Sequence, residues 1–202
     1  MVTFMNEWMR VQDLIQTPRL NLHHICAADL ITLFEDPEDL SIYAGKPYTN
    51  PHRQLMDESG PLSWRVPQVK VNPECNKWFV RWLVLRESGE IIGSTSFHGV
   101  PNSVGMIEIG IGIQEQFRNH GYARESLLGM WLWALKDPQV KILRYTVSPT
   151  NTASIRVIGS FGFAYQGQQI DEEDGPENIY EISRIDFLEK YLDLDVQPGR
   201  PE

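Results

Sequence analysis

A mixed α/β domain of the α+β kind is the fold class that the sequence predicts, and three observations predict it. Three strand-like segments, residues 78–86, 91–100 and 106–113, follow one another on short turns. After Ile113 the hydrophobic period changes from two to about 3.6. Two further strand-like segments then close the chain as a hairpin, residues 163–168 with 179–185. The 202 residues, 42% of them hydrophobic, are enough for one sizeable core, so a single domain over residues 1–202 is expected. Residues 196–202, VQPGRPE, look like a flexible tail.

Each element has its own signal. Thr17, Pro18 and Arg19 introduce a short strand marked by Leu20, Leu22 and Ile25, and AADLITLFED then reads as a short helix. From residue 41 to about 77 periodicity is poor and prolines recur at 47, 51, 61, 67 and 73, which predicts a long irregular connection with room for one helical piece. Ser88 and Gly89 suit the tight turn between the first two central strands. In YARESLLGMWLWALKD, Ala123, Leu127, Trp131 and Leu135 fall four apart, the buried stripe of an amphipathic helix. Residues 141–147 read as a strand and residues 151–160 as a helix.

Charge and cysteine content narrow the function. With 18 basic against 27 acidic residues the net charge is -9, which argues against an electrostatic binder of nucleic acid or anionic membrane. A cationic partner fits, although acidity also serves solubility alone. Cys26 and Cys75 lie far apart in no metal-binding spacing, so neither a disulfide framework nor a zinc site is expected. The opening residues lack the pattern of a signal peptide, and no run approaches ~18 apolar residues. A soluble cytoplasmic protein is the expectation.

The third central strand, MIEIGIGI, carries the first chemical signal. Ile107, Ile109, Ile111 and Ile113 share one face, and Glu108, Gly110 and Gly112 the other. A face of bare backbone beside one carboxylate suits a ligand lying along the strand, a bulge or a closely packed helix. Directly after it, Arg118 to Ala123 read RNHGYA at the start of the next helix. A glycine turn that opens a helix presents unpaired N–H groups and the positive end of the helix dipole, a site for phosphate, and Arg118 adds a cation there.

The string R-x-x-G-x-A after this strand, followed about thirty residues later by NTASIRVIGSFGF, resembles the two signature segments of the GNAT acetyltransferases. TPRLNLHHICAADL is similar to the opening of the branch that contains the ribosomal-protein N-terminal acetyltransferases. The resemblance implies a mostly antiparallel central sheet, flanked by helices and splayed between its fourth and fifth strands, with acetyl-CoA as co-substrate in the gap. It implies that backbone N–H groups of Arg118, Asn119, His120, Gly121, Tyr122 and Ala123 hold the pyrophosphate. Ile111, Gly112 and Ile113 would pair with the pantetheine arm, and Asn151 would hydrogen-bond it.

One departure stands out. Many family members carry a tyrosine seven residues after that asparagine as the acid for the leaving thiolate, and here Ile158 holds the place. The resemblance then points to Ser154 as the acid, with capping of the helix as its ordinary alternative. Glu108 is the candidate base that takes a proton from the attacking amine, against the reading of a solvated strand carboxylate.

Other residues tempt less. His23 and His24 must face opposite sides of a strand, and no metal is expected. His120 lies in a loop that would work through its backbone, and Trp131 and Trp133 read as packing. DEEDGPE, residues 171–177, crowds five carboxylates on an Asp-Gly turn, a solvated tip or a lure for a cationic amine. Three readings remain open on the sequence: acetylation of a protein N-terminus or related primary amine, acetylation of a small cationic amine such as an aminoglycoside or polyamine, and a catalytically silent CoA-binding domain. The acceptor and the oligomeric state stay open, a homodimer being one arrangement compatible with the chain.

Overall fold

The computed structural model describes residues 14–58, 60–172 and 175–192. The anticipated tail at 196–202, the opening residues 1–13, and Glu173 and Asp174 of the acidic turn lie outside the described residues. The described residues form two compact units, one within 14–100 together with 109–133, the other within 101–108 together with 134–192.

The first unit is built on antiparallel strands in the order β1 (Leu14–Gln16), β2 (Leu20–His24), β3 (Arg81–Leu85), β4 (Ile91–Phe97) and residues 109–113 of β5 (Met106–Ile113). Helix α1 (Ala27–Glu35) begins where the Cys26 side chain accepts from the Asp29 N–H, and it buries Leu30 and Leu33. Helix α2 (Leu62–Val71) is the helical piece of the irregular connection, with Leu62, Val66 and Val69 buried at the spacing of one helical face. Short 3-10 turns at Leu40–Tyr43 and Pro73–Trp78 complete the connection. Helix α3 (Tyr122–Ala134) contributes as far as Trp133 and buries Leu127, Met130 and Trp131. Trp131 is thus core, and Trp133 stacks beside Phe97 with the Arg81 guanidinium 4.7 Å from its ring centre.

Every residue of β4 is buried, including Ser94, Thr95 and Ser96. Gly93 shows how tightly β4 meets β5: a Cβ there would lie 2.2 Å from the Gly112 carbonyl oxygen. No side chain fits, so glycine here is a requirement of packing.

The second unit has the strand order β5 (residues 106–108), β6 (Ile142–Val147), β8 (Gly175–Ser183) and β7 (Ala164–Asp171), with helices α4 (Thr152–Ser160) and α5 (Arg184–Leu192). β5 and β6 are parallel, in the registers Met106↔Ile142, Ile107↔Leu143 and Glu108↔Arg144; the other pairs are antiparallel. The Asn102 carboxamide receives the N–H groups of Val104 and Met106, and the Gly105 carbonyl receives that of Lys141, which fixes this start. Phe161, Phe163, Phe187 and Tyr191 form an aromatic core with ring centres 4.7 to 6.5 Å apart. Among the described residues no helix is long and apolar enough to cross a membrane.

The structure departs from the sequence-based expectation at particular places. β1 is too short to show a period. The strand expected from residue 78 begins at Arg81, because Asn72 caps and Pro73 opens a 3-10 turn that runs to Trp78. The last strand ends at Ser183, short of Ile185, and α5 follows. The Ser183 hydroxyl accepts from the Asp186 N–H and donates to its carboxylate, a capping arrangement that the S-x-x-D spacing signals.

Gly93→Ala should lower stability by about 2 kcal/mol or more, several degrees in melting temperature, because backbone must move to admit the methyl group. Gly99→Ala, where a Cβ meets nothing within 4 Å, is the control and should change little in the same denaturation series.

Candidate active site

The alternation along β5 holds in three dimensions. Ile107 and Ile109 are buried, Glu108 and Gly110 are half-buried and Gly112 is exposed; Ile111 and Ile113 are half-buried, so the burial contrast weakens toward the end of the strand, and the registers with β4 run without a shift. A Cβ on Gly110 would lie 3.0 Å from His98 Nε2, whereas one on Gly112 would meet nothing within 4 Å. The glycine face at 112 is therefore bare backbone open to a ligand, and not a bulge or a helix contact.

A cavity of about 610 Å³ lies over this face within the first unit. Its floor is Ser94 to Ser96 of β4 with Gly110, Ile111, Gly112 and Ile113 of β5, and Arg65 and residues of the 52–61 segment form its wall. The Gln114 amide ties that wall down by donating to the His52 carbonyl and to Gln54 Oε1, at 3.2 and 2.9 Å. Arg65 is buried and donates to Ser96 Oγ at 3.3 Å. The irregular connection between α1 and β3 thus supplies a shaped wall, a role that its composition could not specify.

Arg118 sits at the cavity margin and donates from Nε to the Ile113 carbonyl at 3.0 Å. The turn after it places two residues in the left-handed region, Asn119 at φ 64° and Gly121 at φ 80°. Three carbonyls of this turn are committed: the Arg118 oxygen accepts from His120 Nδ1 at 2.7 Å, the His120 oxygen from Arg19 Nη1 at 2.9 Å, and the Gly121 oxygen from the Glu125 N–H at 3.1 Å. In a trans peptide the N–H points opposite to the carbonyl. The N–H groups of Asn119, Gly121 and Tyr122 accordingly face away from those anchors, at the positive end of α3. His120 does more than supply backbone, since its ring holds the Arg118 carbonyl and stacks on Tyr122.

Arg19 and Glu125 escaped the sequence reading as members of this site. Glu125 accepts from Thr17 Oγ1 at 2.6 Å, from the Arg19 N–H at 2.7 Å and from Arg19 Nε at 2.7 Å. Burial works to raise the Glu125 pKa, but these hydrogen bonds and the Arg19 charge together hold it below its ordinary value.

In the second unit Asn151 caps α4, its Oδ1 accepting from the Ser154 N–H at 3.0 Å. The cap expected as the alternative role of Ser154 therefore belongs to Asn151, whose Nδ2 is the donor it can still offer a ligand. The Ser154 hydroxyl lies 2.8 Å from the hydroxyl of Tyr145, which is buried on β6. Burial pushes the Tyr145 phenol up from its ordinary pKa, against the Ser154 hydrogen bond, so it stays protonated. Tyr145 was not legible as a site residue, because alternation on a strand marks it only as core. Glu108 accepts from Thr146 Oγ1 at 2.6 Å across the parallel pair. Of the expected site residues, Ile111 to Ile113 and Arg118 line one cavity, Asn119 to Ala123 follow in the same unit, and Asn151 and Ser154 share one cap in the other. Among the described residues no group of three or more His, Cys, Asp or Glu could hold a metal ion.

Comparison with known proteins agrees with this architecture. The acetyltransferase (GNAT) domain family matches residues 19–164, and the chain belongs to that family of acetyltransferases. Its mixed fold of antiparallel strands with one parallel pair and flanking helices is the GNAT fold. The N-acetyltransferase YjdG of Bacillus subtilis is 30% identical over 97 residues, covering 48% of this chain and 58% of that protein, so the match spans little more than half of the relative's length. The ribosomal-protein-S5-alanine acetyltransferase of Vibrio fischeri superposes with a TM-score of 0.61 at 14% identity, covering 86% of this chain and 98% of the other. RimL, a ribosomal L7/L12 alpha-N-protein acetyltransferase in complex with coenzyme A, gives 0.58 at 16% identity, covering 84% and 97%.

Asn151→Ala should cost about 1 kcal/mol of stability through the lost cap. Asn151→Asp keeps an oxygen for the cap and removes the Nδ2 donor. If Asn151 also binds the pantetheine arm, the aspartate variant should melt near the wild type yet show a raised KM for acetyl-CoA; a normal KM would leave Asn151 as a cap alone.

Proposed function

We propose that this protein is an acetyl-CoA-dependent N-acetyltransferase that acts on a primary amine, a protein N-terminus being the acceptor favoured by its likeness to ribosomal-protein acetyltransferases. The observation that carries the reading is the turn at 118–122, whose anchored carbonyls leave N–H groups aimed outward beside an open glycine face. Acetyl-CoA supplies an acetyl group already activated as a thioester. The residues present suit it: N–H groups for a pyrophosphate, and exposed backbone at Gly112 where no side chain would intrude.

The chain's own groups divide the remaining work. The backbone of Ile111, Gly112 and Ile113 orients the pantetheine arm. Glu108, held by Thr146, takes the proton that an amine must lose to be a nucleophile. Ser154 holds a proton at Oγ for the departing sulfur. The two hydroxyls of Tyr145 and Ser154 lie 2.8 Å apart and either can donate; with Tyr145 as donor, the serine hydrogen is free to point elsewhere. A cytoplasmic setting and a reduced pair of cysteines fit this chemistry.

At ~100 times its dissociation constant, acetyl-CoA should add about 2.7 kcal/mol of stability, a rise of roughly 5 to 10 °C in melting temperature. No shift with acetyl-CoA, CoA or longer acyl-CoAs would contradict the reading.

Turnover of acetyl-CoA with a panel of peptides and amines then separates enzyme from silent binder. Glu108→Gln should slow the reaction by ~10² near neutral pH and recover partly at high pH, where more of the amine is already neutral. Ser154→Ala should slow it most with poor thiol leaving groups. Both should bind acetyl-CoA normally. Full activity in Glu108→Gln would move the base elsewhere, and tight binding without any turnover would favour a silent domain.

A further inference from the structure

We propose that Arg19 is a positioning residue for the pyrophosphate-binding turn, holding the His120 carbonyl so that the Gly121 N–H is aimed at the anion. The assignment rests on the acetyl-CoA reading above.

The guanidinium is committed on several sides. Nε donates to Glu125 Oε2 at 2.7 Å, Nη1 donates to the His120 carbonyl at 2.9 Å, and the planar face lies 4.5 Å from the centre of the Tyr122 ring. Nη2 stands 3.5 Å from where a Cβ on Gly121 would be. Glu125 sits in the first turn of α3, and its other oxygen receives the Thr17 hydroxyl and the Arg19 N–H. The segment from Thr17 to Arg19 and the start of α3 are thereby clasped, although they lie more than a hundred residues apart.

The clasp acts at the point where the turn most needs it. The His120 peptide lies between Asn119 and Gly121, both in left-handed conformations, and Asn119 adopts its own at a steric cost. A non-glycine residue stays there only if its surroundings hold it. Without Arg19, the peptide joining His120 to Gly121 can rotate, and its N–H rotates with its carbonyl. A guanidinium is suited to this, because its rigid fork holds a carboxylate and a carbonyl together and its face rests on an aromatic ring; an ammonium offers no such fork. These engagements make positioning a better account of Arg19 than direct contact with a phosphate.

Steady-state kinetics with three thioesters test the assignment: acetyl-CoA, 3′-dephospho-acetyl-CoA and S-acetylpantetheine, which lacks the pyrophosphate. Arg19→Ala should raise KM about tenfold for the first two at little-changed kcat, the loss of one charge-assisted hydrogen bond, while the penalty vanishes with S-acetylpantetheine. Arg19→Lys, which keeps the charge, should behave like the alanine variant and serves in its place if that variant does not fold. Glu125→Gln should show the same pattern more weakly.

Equal losses on all three thioesters would make Arg19 a general support of the fold and overturn the assignment. A loss confined to acetyl-CoA would make it a contact to the 3′-phosphate and overturn it equally, as would an unchanged KM. A wild-type protein that neither turns over acetyl-CoA nor is stabilised by it would overturn the acetyl-CoA reading and this assignment with it.

Discussion

The planarity of the peptide bond is the constraint on which the site depends. A carbonyl fixed on one side sends the following N–H to the other, and the turn after β5 fixes three carbonyls in five residues. The anchors come from three sources: a ring within the turn, a guanidinium near the start of the chain and the first turn of α3. What emerges is a set of donors whose direction is set before any ligand arrives, which is the form in which backbone binds phosphate most effectively. Left-handed backbone at Asn119 and Gly121 makes the turn possible, and glycine meets that requirement at no steric cost.

A second constraint supports the first. β4 and β5 approach so closely that a Cβ on Gly93 would strike the Gly112 carbonyl oxygen, while the other side of Gly112 is open and forms part of a floor. The irregular segment that walls this floor is held by Gln114, immediately beyond β5, so the strand that forms part of the floor is also tied to the wall opposite. Floor, wall and turn therefore share one strand, and a shift of β5 would disturb all three.

How much of this was legible in the sequence follows from the range of each interaction. The span of β5, the start of α3 and the alternation of Glu108 with two glycines are local, and residue periodicity shows them to the residue. The helix at 62–71 was only hinted at, because Pro67 and a mixed face blur its period. α5 was missed although its cap is written as S-x-x-D, since the apolar residues just before it suggested a longer strand. Arg19 and Tyr145 were beyond reach for another reason. Arg19 acts on residues about a hundred positions away, and Tyr145 meets Ser154 only because a strand and the following helix fold together. Chemical type alone marks the first as a surface cation and the second as core.

Backbone amide chemical shifts during a titration with coenzyme A test the central claim most directly. The account predicts that the amides of Asn119, Gly121 and Tyr122 move most and saturate together, while those of the same turn remain in place when pantetheine, without its pyrophosphate, is added instead. Large shifts elsewhere with these three amides unmoved would contradict it.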